Sequence, residues 1–457
     1  MCLGHVALGC GLISRRFCCL TEPAVARLSQ KLFCGVYSGQ LKDSRVENTQ
    51  VSAIDVNAAP RERAGTRSAA ITMYCVLLLS YVLMAADRYL FPVIAPYVRR
   101  EFSFSPSLTG LLTTIFTLGL GVGGLTTGYI LARFSRKAVM LGGIAIFSGA
   151  TALTAATHGF WGMLLCLAAQ GIGMAMLATS MFALAASYFA TYKAAAIGSV
   201  NFCYGIGGFV GSSLAGVLLV KYANWRAPMI AFGLFGLVMM AIILASVRSW
   251  FSETRGAAQA RIAAGGAPSL WNRNSVLLTI LCLIHGLSMY GFLGGYASFL
   301  QENLHYTPTR AGVVVGFFAI GALTSIAGGW VGDRFSPRIV LSAAFVCIAV
   351  LGYLFFQMAP SALTREILTC LYGVAGSAVL YVSLAAYHVK SLRSSLASKG
   401  SGMFVTSLYG GAAFGGYLIR ALAGHGGWLF AGVIQMSLLC AVGAVLALAV
   451  RPSEMNA

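Results

Sequence analysis

The chain has 457 residues, of which 58% are hydrophobic and only 9% charged, and its formal net charge is +19. A soluble domain carries roughly 25% charged residues, so this composition excludes a water-soluble globule and calls for a chain that crosses the bilayer many times. The positive charge does not point to nucleic acid, because no basic run is interleaved with stacking aromatics on a soluble domain; basic residues gather instead in cytoplasmic loops and orient the spans.

Residues 1–69 are polar and mixed in charge, without a long apolar run. Ser14-Arg15-Arg16-Phe17 is faintly similar to a twin-arginine signal, but no apolar stretch follows it, and residues 1–11 are too short for a signal peptide. This part reads either as a disordered cytoplasmic extension or as translation from an upstream start codon.

From residue 70 the chain breaks into apolar segments at 71–97, 107–132, 138–157, 160–187, 194–219, 227–247, 275–300, 311–332, 338–358, 365–388, 400–422 and 428–449. Each is long enough to cross a hydrocarbon core of about 30 Å as a helix. An open strand there would leave backbone groups unpaired. The fold class is therefore an all-α polytopic membrane protein with twelve transmembrane helices. Trp161, Trp225, Trp250, Trp271, Trp330 and Trp428 all fall near predicted span ends, where the indole suits the headgroup level.

Of the 12 cysteines, five (Cys2, Cys10, Cys18, Cys19, Cys34) lie in the N-terminal part, and the other seven fall in seven different apolar segments. They read as small packing residues and not as a disulfide or zinc framework. Arg61, Arg63, Arg67, Arg133, Arg136, Lys137, Lys193, Arg248, Arg255, Arg261, Arg273, Arg334, Arg338, Lys390, Arg393, Lys399 and Arg451 share one side of the membrane. Arg99, Arg100, Lys221, Arg226, Arg310, Arg365 and Arg420 share the other. That asymmetry predicts both termini in the cytoplasm, in a plasma membrane (a bacterial inner membrane). The stretch 248–274 is rich in Arg, Ala and Gly and reads as a flexible linker. The predicted organisation is a bundle at 70–247, a linker at 248–274, a second bundle at 275–450 and a tail at 451–457.

The 12 acidic residues place only one, Asp87, well inside a span, in Ala85-Ala86-Asp87-Arg88-Tyr89-Leu90-Phe91-Pro92. A carboxylate and a guanidinium in lipid persist only when they face protein or a wet cavity. Asp87 is thus the candidate proton carrier, or else half of an ion pair that fixes the helix. His285 is the one histidine deep in a span. Histidine as a residue type titrates near physiological pH, so His285 either shares in coupling or is a hydrogen-bonded structural residue.

The halves share a decamer. Gly128-Tyr129-Ile130-Leu131-Ala132-Arg133-Phe134-Ser135-Arg136-Lys137 follows the second span, and Gly329-Trp330-Val331-Gly332-Asp333-Arg334-Phe335-Ser336-Pro337-Arg338 follows the eighth, at an offset of 329 − 128 = 201. Both resemble the G-x-x-x-D-R-x-x-x-R/K loop of the major facilitator superfamily, and the resemblance covers about residues 70–449. It implies two six-helix bundles, alternating access around a central site, and a loop carboxylate with basic residues that lock the bundles. The gating set is then Gly128, Arg133, Arg136, Lys137, Gly329, Asp333, Arg334 and Arg338. Ala132 departs from the pattern, so the first lock is expected to be weaker than the one at Asp333. Leu167-Ala168-Ala169-Gln170-Gly171-Ile172-Gly173 resembles the family's R-x-x-Q-G-x-G stretch with Leu167 in place of the arginine. Gly205-Ile206-Gly207-Gly208-Phe209-Val210-Gly211 is similar to its antiporter glycine motif without the proline, and close glycines favour close helix packing.

Asp87-Arg88 resembles the D-R pair of the spinster-like and anion:cation symporter branches, in which the acid is a protonation site and the arginine meets an anionic substrate. At the offset of 201, Asp87 maps to Ser288, one turn from His285, so the two are expected on facing walls. Arg88, Gln170, Asn201, Tyr204, Tyr290, Tyr296, Tyr372 and Tyr381 are the candidate substrate contacts.

No catalytic or phosphate-binding constellation is present, so the chain is expected not to be an enzyme and to need no cofactor or metal. The expected function is proton-coupled transport of a small organic solute, an organic anion, by a monomer whose partners are solute, protons and lipid. The rival readings are an efflux carrier for amphipathic compounds and a non-transporting sensor on the same fold.

Overall fold

In a computed structural model of the chain, the described residues are 60–189, 191–252, 266–357 and 361–455. The N-terminal part up to residue 59, with its five cysteines and the twin-arginine-like stretch, lies outside them, as does most of the linker. The compact unit treated below is Glu62–Ala457.

Among the described residues, ten helical runs are long and apolar enough to cross a membrane. The eighth predicted span is a bent pair, Arg310–Ala322 and Ser325–Arg334, turning by 46°. The last run, Ser394–Leu448, has 55 residues, or roughly 80 Å at 1.5 Å per residue. That is too long for one crossing, and Gly427 (φ 80°, ψ 170°) interrupts the helix inside it. Divided there, the run gives the eleventh and twelfth spans, and the predicted twelve are accounted for.

Glycine sets how closely these helices approach. A Cβ at Gly207 would stand 2.3 Å from the Val82 carbonyl oxygen, and one at Gly211 would stand 2.4 Å from that of Ala86. The glycine-rich stretch of the fifth span is therefore a packing surface for the first, as the sequence led one to expect. The tenth and twelfth spans each carry a π-helical stretch, at Gly373–Tyr381 and Val433–Leu438. Such segments shift the register of one face and recur at functional places.

The two six-helix halves meet along two seams. In one the second span runs against the eleventh. Gly128 faces Ser398 and Lys399, Gly124 faces Thr406, and Gly121 faces Gly410. In the other the fifth span runs against the eighth, with Gly198 on Ser325 and Gly329 on Ala194. Both seams lie toward the face that carries the two decamer loops, here termed the basic face. A leucine side chain at Gly124 would collide with Thr406, whose backbone nitrogen is 2.7 Å from the position of a Cβ. Gly124→Leu is expected to insert normally yet lose more than tenfold in transport rate, measured as uptake per protein in proteoliposomes.

The linker is only partly described. Its flanks are ordered and docked: Ser249–Ser252 forms a short helix. Ala267 exchanges backbone hydrogen bonds with Ser391 and Arg393 (3.1 Å each). Leu270 joins a small apolar cluster with Leu392 and Met403, against which Leu125 of the first half packs. The middle of the stretch expected to be a flexible linker, residues 253–265, lies outside the described residues.

Candidate functional site

The first span is two helices, Pro60–Arg88 and Leu90–Glu101, broken at Tyr89. Pro92 has no N–H to give the Arg88 carbonyl one turn back, so the helix loosens directly after Arg88. Consecutive residues on a helix project about 100° apart. Asp87 and Arg88 therefore look in different directions, and the structure shows what each meets.

Asp87 turns into the first half and is 2% exposed. Its Oδ2 accepts hydrogen bonds from Thr151 Oγ1 of the third span (2.8 Å) and Gln170 Nε2 of the fourth (3.0 Å). Gln170 gives its other amide hydrogen to Thr151 Oγ1 (2.8 Å). Asp87 Oδ1 has no hydrogen-bond partner among the described residues. The stretch after Leu167 now has a physical account. Gln170 holds the carboxylate, Gly171 admits the Phe116 carbonyl oxygen at 2.2 Å from a would-be Cβ, and Gly173 admits the Phe147 backbone.

Arg88 turns to the centre, where the halves meet, and is partly exposed. Its Nη1 donates to Tyr409 Oη (3.0 Å) and its Nη2 to Tyr290 Oη (2.5 Å), both on the second half. The guanidinium carbon lies 4.9 Å from the Tyr409 ring, 5.6 Å from Phe116 and 5.7 Å from both Tyr204 and Tyr290. Ion pairs among the described residues are Arg226–Glu101, Lys390–Asp333 and Arg451–Glu454. Neither Asp87 nor Arg88 joins one, so the ion pair that sequence proximity suggested is replaced by two separate environments. Beneath Arg88, toward the basic face, Phe182, Tyr381 and Phe404 form a ring cluster with centroids 5.1–6.4 Å apart. That cluster brings together the fourth, tenth and eleventh spans.

The remaining expected contacts scatter. Tyr204 and Tyr290 line Arg88, and Tyr381 lies below it. Asn201 bridges the seam instead, donating to Ser325 Oγ (2.7 Å) and to the carbonyl and hydroxyl of Ser377 (3.1 Å each) in the π-helical stretch. Tyr296 and Tyr372 are fully buried inside the second half against Phe292 and Phe355. His285 is also fully buried there, with its Cε1 3.8 Å from the position of a Cβ on Gly376. It packs within its own half and does not look across at Asp87, because a 201-residue repeat maps helices onto helices without making their mapped faces meet. Tyr409, Phe116 and Thr151 were missed. Rings at helical spacing read as packing in any apolar span, and a threonine hydroxyl normally bonds its own helix, as Thr151 also does to Phe147 O (2.9 Å).

Of the gating residues, Gly128, Gly329 and Asp333 stand at the seams, whereas Arg136, Lys137 and Arg338 bond within their own halves. Asp333 accepts from the backbone N–H of Ala194 (3.1 Å) and Ala195 (2.9 Å) at the start of the fifth span, and from Lys390 Nζ (2.8 Å). A carboxylate at a helix N-terminus is well placed for the dipole and the free donors. Lys137 caps the end of the sixth span through Leu244 O (3.0 Å) and Val247 O (2.7 Å). Arg338 does the same to the twelfth through Val450 O, and Arg136 donates to Ser187 Oγ (3.1 Å). At Ala132 there is no carboxylate to match Asp333. That seam relies on its glycines, on Lys399 over the Tyr129 ring at 4.6 Å, and on Thr406. The Thr406 hydroxyl accepts from Leu125 N–H (2.7 Å) and donates to Gly121 O (2.5 Å), a pair that an uninterrupted helix would bond directly. Asp333→Asn is expected to raise hydrogen exchange at the Ala194 and Ala195 amides about tenfold, since charge-assisted bonds weaken to neutral ones; mass spectrometry of the reconstituted protein reads it.

Two apolar bundles joined at one face, with the Arg88 guanidinium at membrane depth where they meet, are the architecture of a membrane transporter. The comparisons agree. The family described as Major Facilitator Superfamily matches residues 77–416 and again 278–456. The gallate transporter of Pseudomonas putida is 24% identical over 343 residues, 66% of this chain and 76% of that protein. The 4-hydroxybenzoate transporter PcaK of Acinetobacter baylyi is 21% identical over 445 residues, 88% and 95% of the two chains. The hexuronate transporter of Bacillus subtilis is 23% identical over 299 residues, 60% and 70%. Among solved structures, the proton:xylose symporter XylE superposes with a TM-score of 0.67 at 13% identity, covering 85% of this chain and 98% of its own. The chain belongs to the Major Facilitator Superfamily; it is a transporter and not an enzyme.

Proposed function

We propose that the protein is a proton-coupled carrier of small organic anions, and of planar aromatic monocarboxylates in particular. The observation that carries this reading is Arg88, a guanidinium at membrane depth without a counter-ion among the described residues, walled by four aromatic rings. A guanidinium presents a fork that matches a carboxylate, and ring faces suit a flat apolar body. The amides near the centre are engaged elsewhere: Gln170 with Asp87, Asn201 with the seam, and Gln435 with the backbone oxygens of Leu287 and Gly415. A sugar acid, which needs many hydrogen-bonding partners, is served less well. Relatives named for gallate, 4-hydroxybenzoate and cis,cis-muconate support the aromatic or conjugated acid.

Asp87 is the proton site in this reading. Its charge is met by two neutral side chains and no cation, so a proton bound there removes an uncompensated buried charge. It adjoins Arg88 along the backbone, at a helix break, which gives protonation a path to the substrate residue. With the basic face cytoplasmic, as the loop charges imply, the seams seal the inner side and the carrier faces outward. The test is uptake into proteoliposomes under an inward proton gradient. Accumulation of 4-hydroxybenzoate or benzoate is expected, with glucuronate at background; the reverse order would overturn the substrate class, and uptake indifferent to the gradient would overturn coupling.

A further inference from the structure

We infer that Tyr290 and Tyr409 act as a built-in stand-in for the substrate carboxylate, holding Arg88 while the carrier is empty. The inference rests on the reading that Arg88 receives the carboxylate. The geometry is that of a guanidinium–carboxylate fork with the carboxylate split in two. One phenol oxygen takes Nη1 and the other takes Nη2, the two terminal nitrogens that a bidentate anion engages. Both oxygens come from the second half, on the seventh and eleventh spans, whereas Arg88 belongs to the first. The two rings stand edge to face, with centroids 6.2 Å apart at 77°. The empty centre is therefore bridged across the halves by the same donor atoms that a substrate would use.

The consequence follows from the cost of burying charge. An empty carrier must return to its starting side with Arg88 still at membrane depth, and a guanidinium desolvated without acceptors is heavily penalised. Two hydroxyl acceptors lower that cost without neutralising the charge. An arriving carboxylate displaces them and takes over the bridge. Tyr290 and Tyr409 are thus positioning residues whose hydroxyls matter most when no substrate is bound.

The steps can be separated by experiment. Net uptake requires the empty carrier to return; exchange of external for internal substrate does not. With radiolabelled 4-hydroxybenzoate as the probe, the double variant Tyr290→Phe/Tyr409→Phe is expected to lose about a hundredfold or more in net uptake rate, as for two bonds to a charged group. Exchange should stay within about twofold and the half-saturation concentration for exchange should fall, because the competing hydroxyls are gone. Equal loss of net uptake and exchange would overturn the inference, assigning the tyrosines to substrate binding or to the fold, and so would no loss in either. Arg88→Gln tests the underlying reading separately. If that variant still exchanges the probe normally, the carboxylate is not on Arg88; if it does not, and the tyrosine variant behaves like wild type, only the stand-in role fails. A wild-type protein inert to 4-hydroxybenzoate and benzoate overturns both.

Discussion

Arg88→Gln is expected to reduce 4-hydroxybenzoate transport at least a hundredfold while leaving the protein inserted and folded. Two charge-assisted hydrogen bonds to a carboxylate are at stake, each contributing about 1.5–3 kcal/mol. Nothing in the native contacts compensates for their loss, because the surrounding groups are phenols and ring faces. Arg88→Lys separates charge from shape. Lysine keeps the positive charge but not the planar fork, so an intermediate loss of roughly tenfold is expected, mostly in half-saturation concentration. Direct binding to detergent-solubilised protein by scintillation proximity checks both variants. Unchanged affinity in the glutamine variant would remove Arg88 from the substrate site.

The second large effect is expected at Asp87. Asparagine keeps the shape and can still accept from Thr151 and Gln170, so the packing in which Asp87 is 2% exposed should survive. It cannot carry a proton. Asp87→Asn should therefore lower the accumulation ratio under an inward proton gradient to about one, with exchange retained within a few-fold. The sign is fixed by stoichiometry: acidifying the outside supplies a co-substrate and speeds wild-type uptake, whereas the variant should be flat across the same pH range. Gradient-driven accumulation by the asparagine variant would place the coupling proton elsewhere, with His285 the next group to test by substitution with Gln.

Much of this protein was readable before folding was considered. Hydropathy alone marks the spans, since lipid leaves a chain few options besides helices of about 20 residues. The decamer repeat located the two loops, and Asp333 meets the fifth-span helix start as a loop carboxylate should. Asp87 and Arg88 stood out because charge at membrane depth is rare. Their separation was not readable. Adjacent residues in a string look like a pair, but a helix turns them about 100° apart, and Pro92 ends the helix at that point. Tyr409 and Thr151 were hidden for a related reason. In spans that are apolar all round, no polar face announces which side looks inward, so a ring that touches a guanidinium and a ring that touches lipid are spelled alike.

By itself the sequence determined the membrane class, the twelve crossings, the two-fold repeat and the identity of the two charges on which transport is proposed to turn. Only the tertiary structure decided their partners: a Thr–Gln pair for the carboxylate, and two phenols and four rings for the guanidinium. The physical reason is that burial in lipid is a property of composition, legible residue by residue. Which groups meet depends instead on helix rotation and on glycine-to-backbone contacts between segments up to some 320 positions apart, such as Arg88 and Tyr409 (409 − 88 = 321), and no local pattern encodes those.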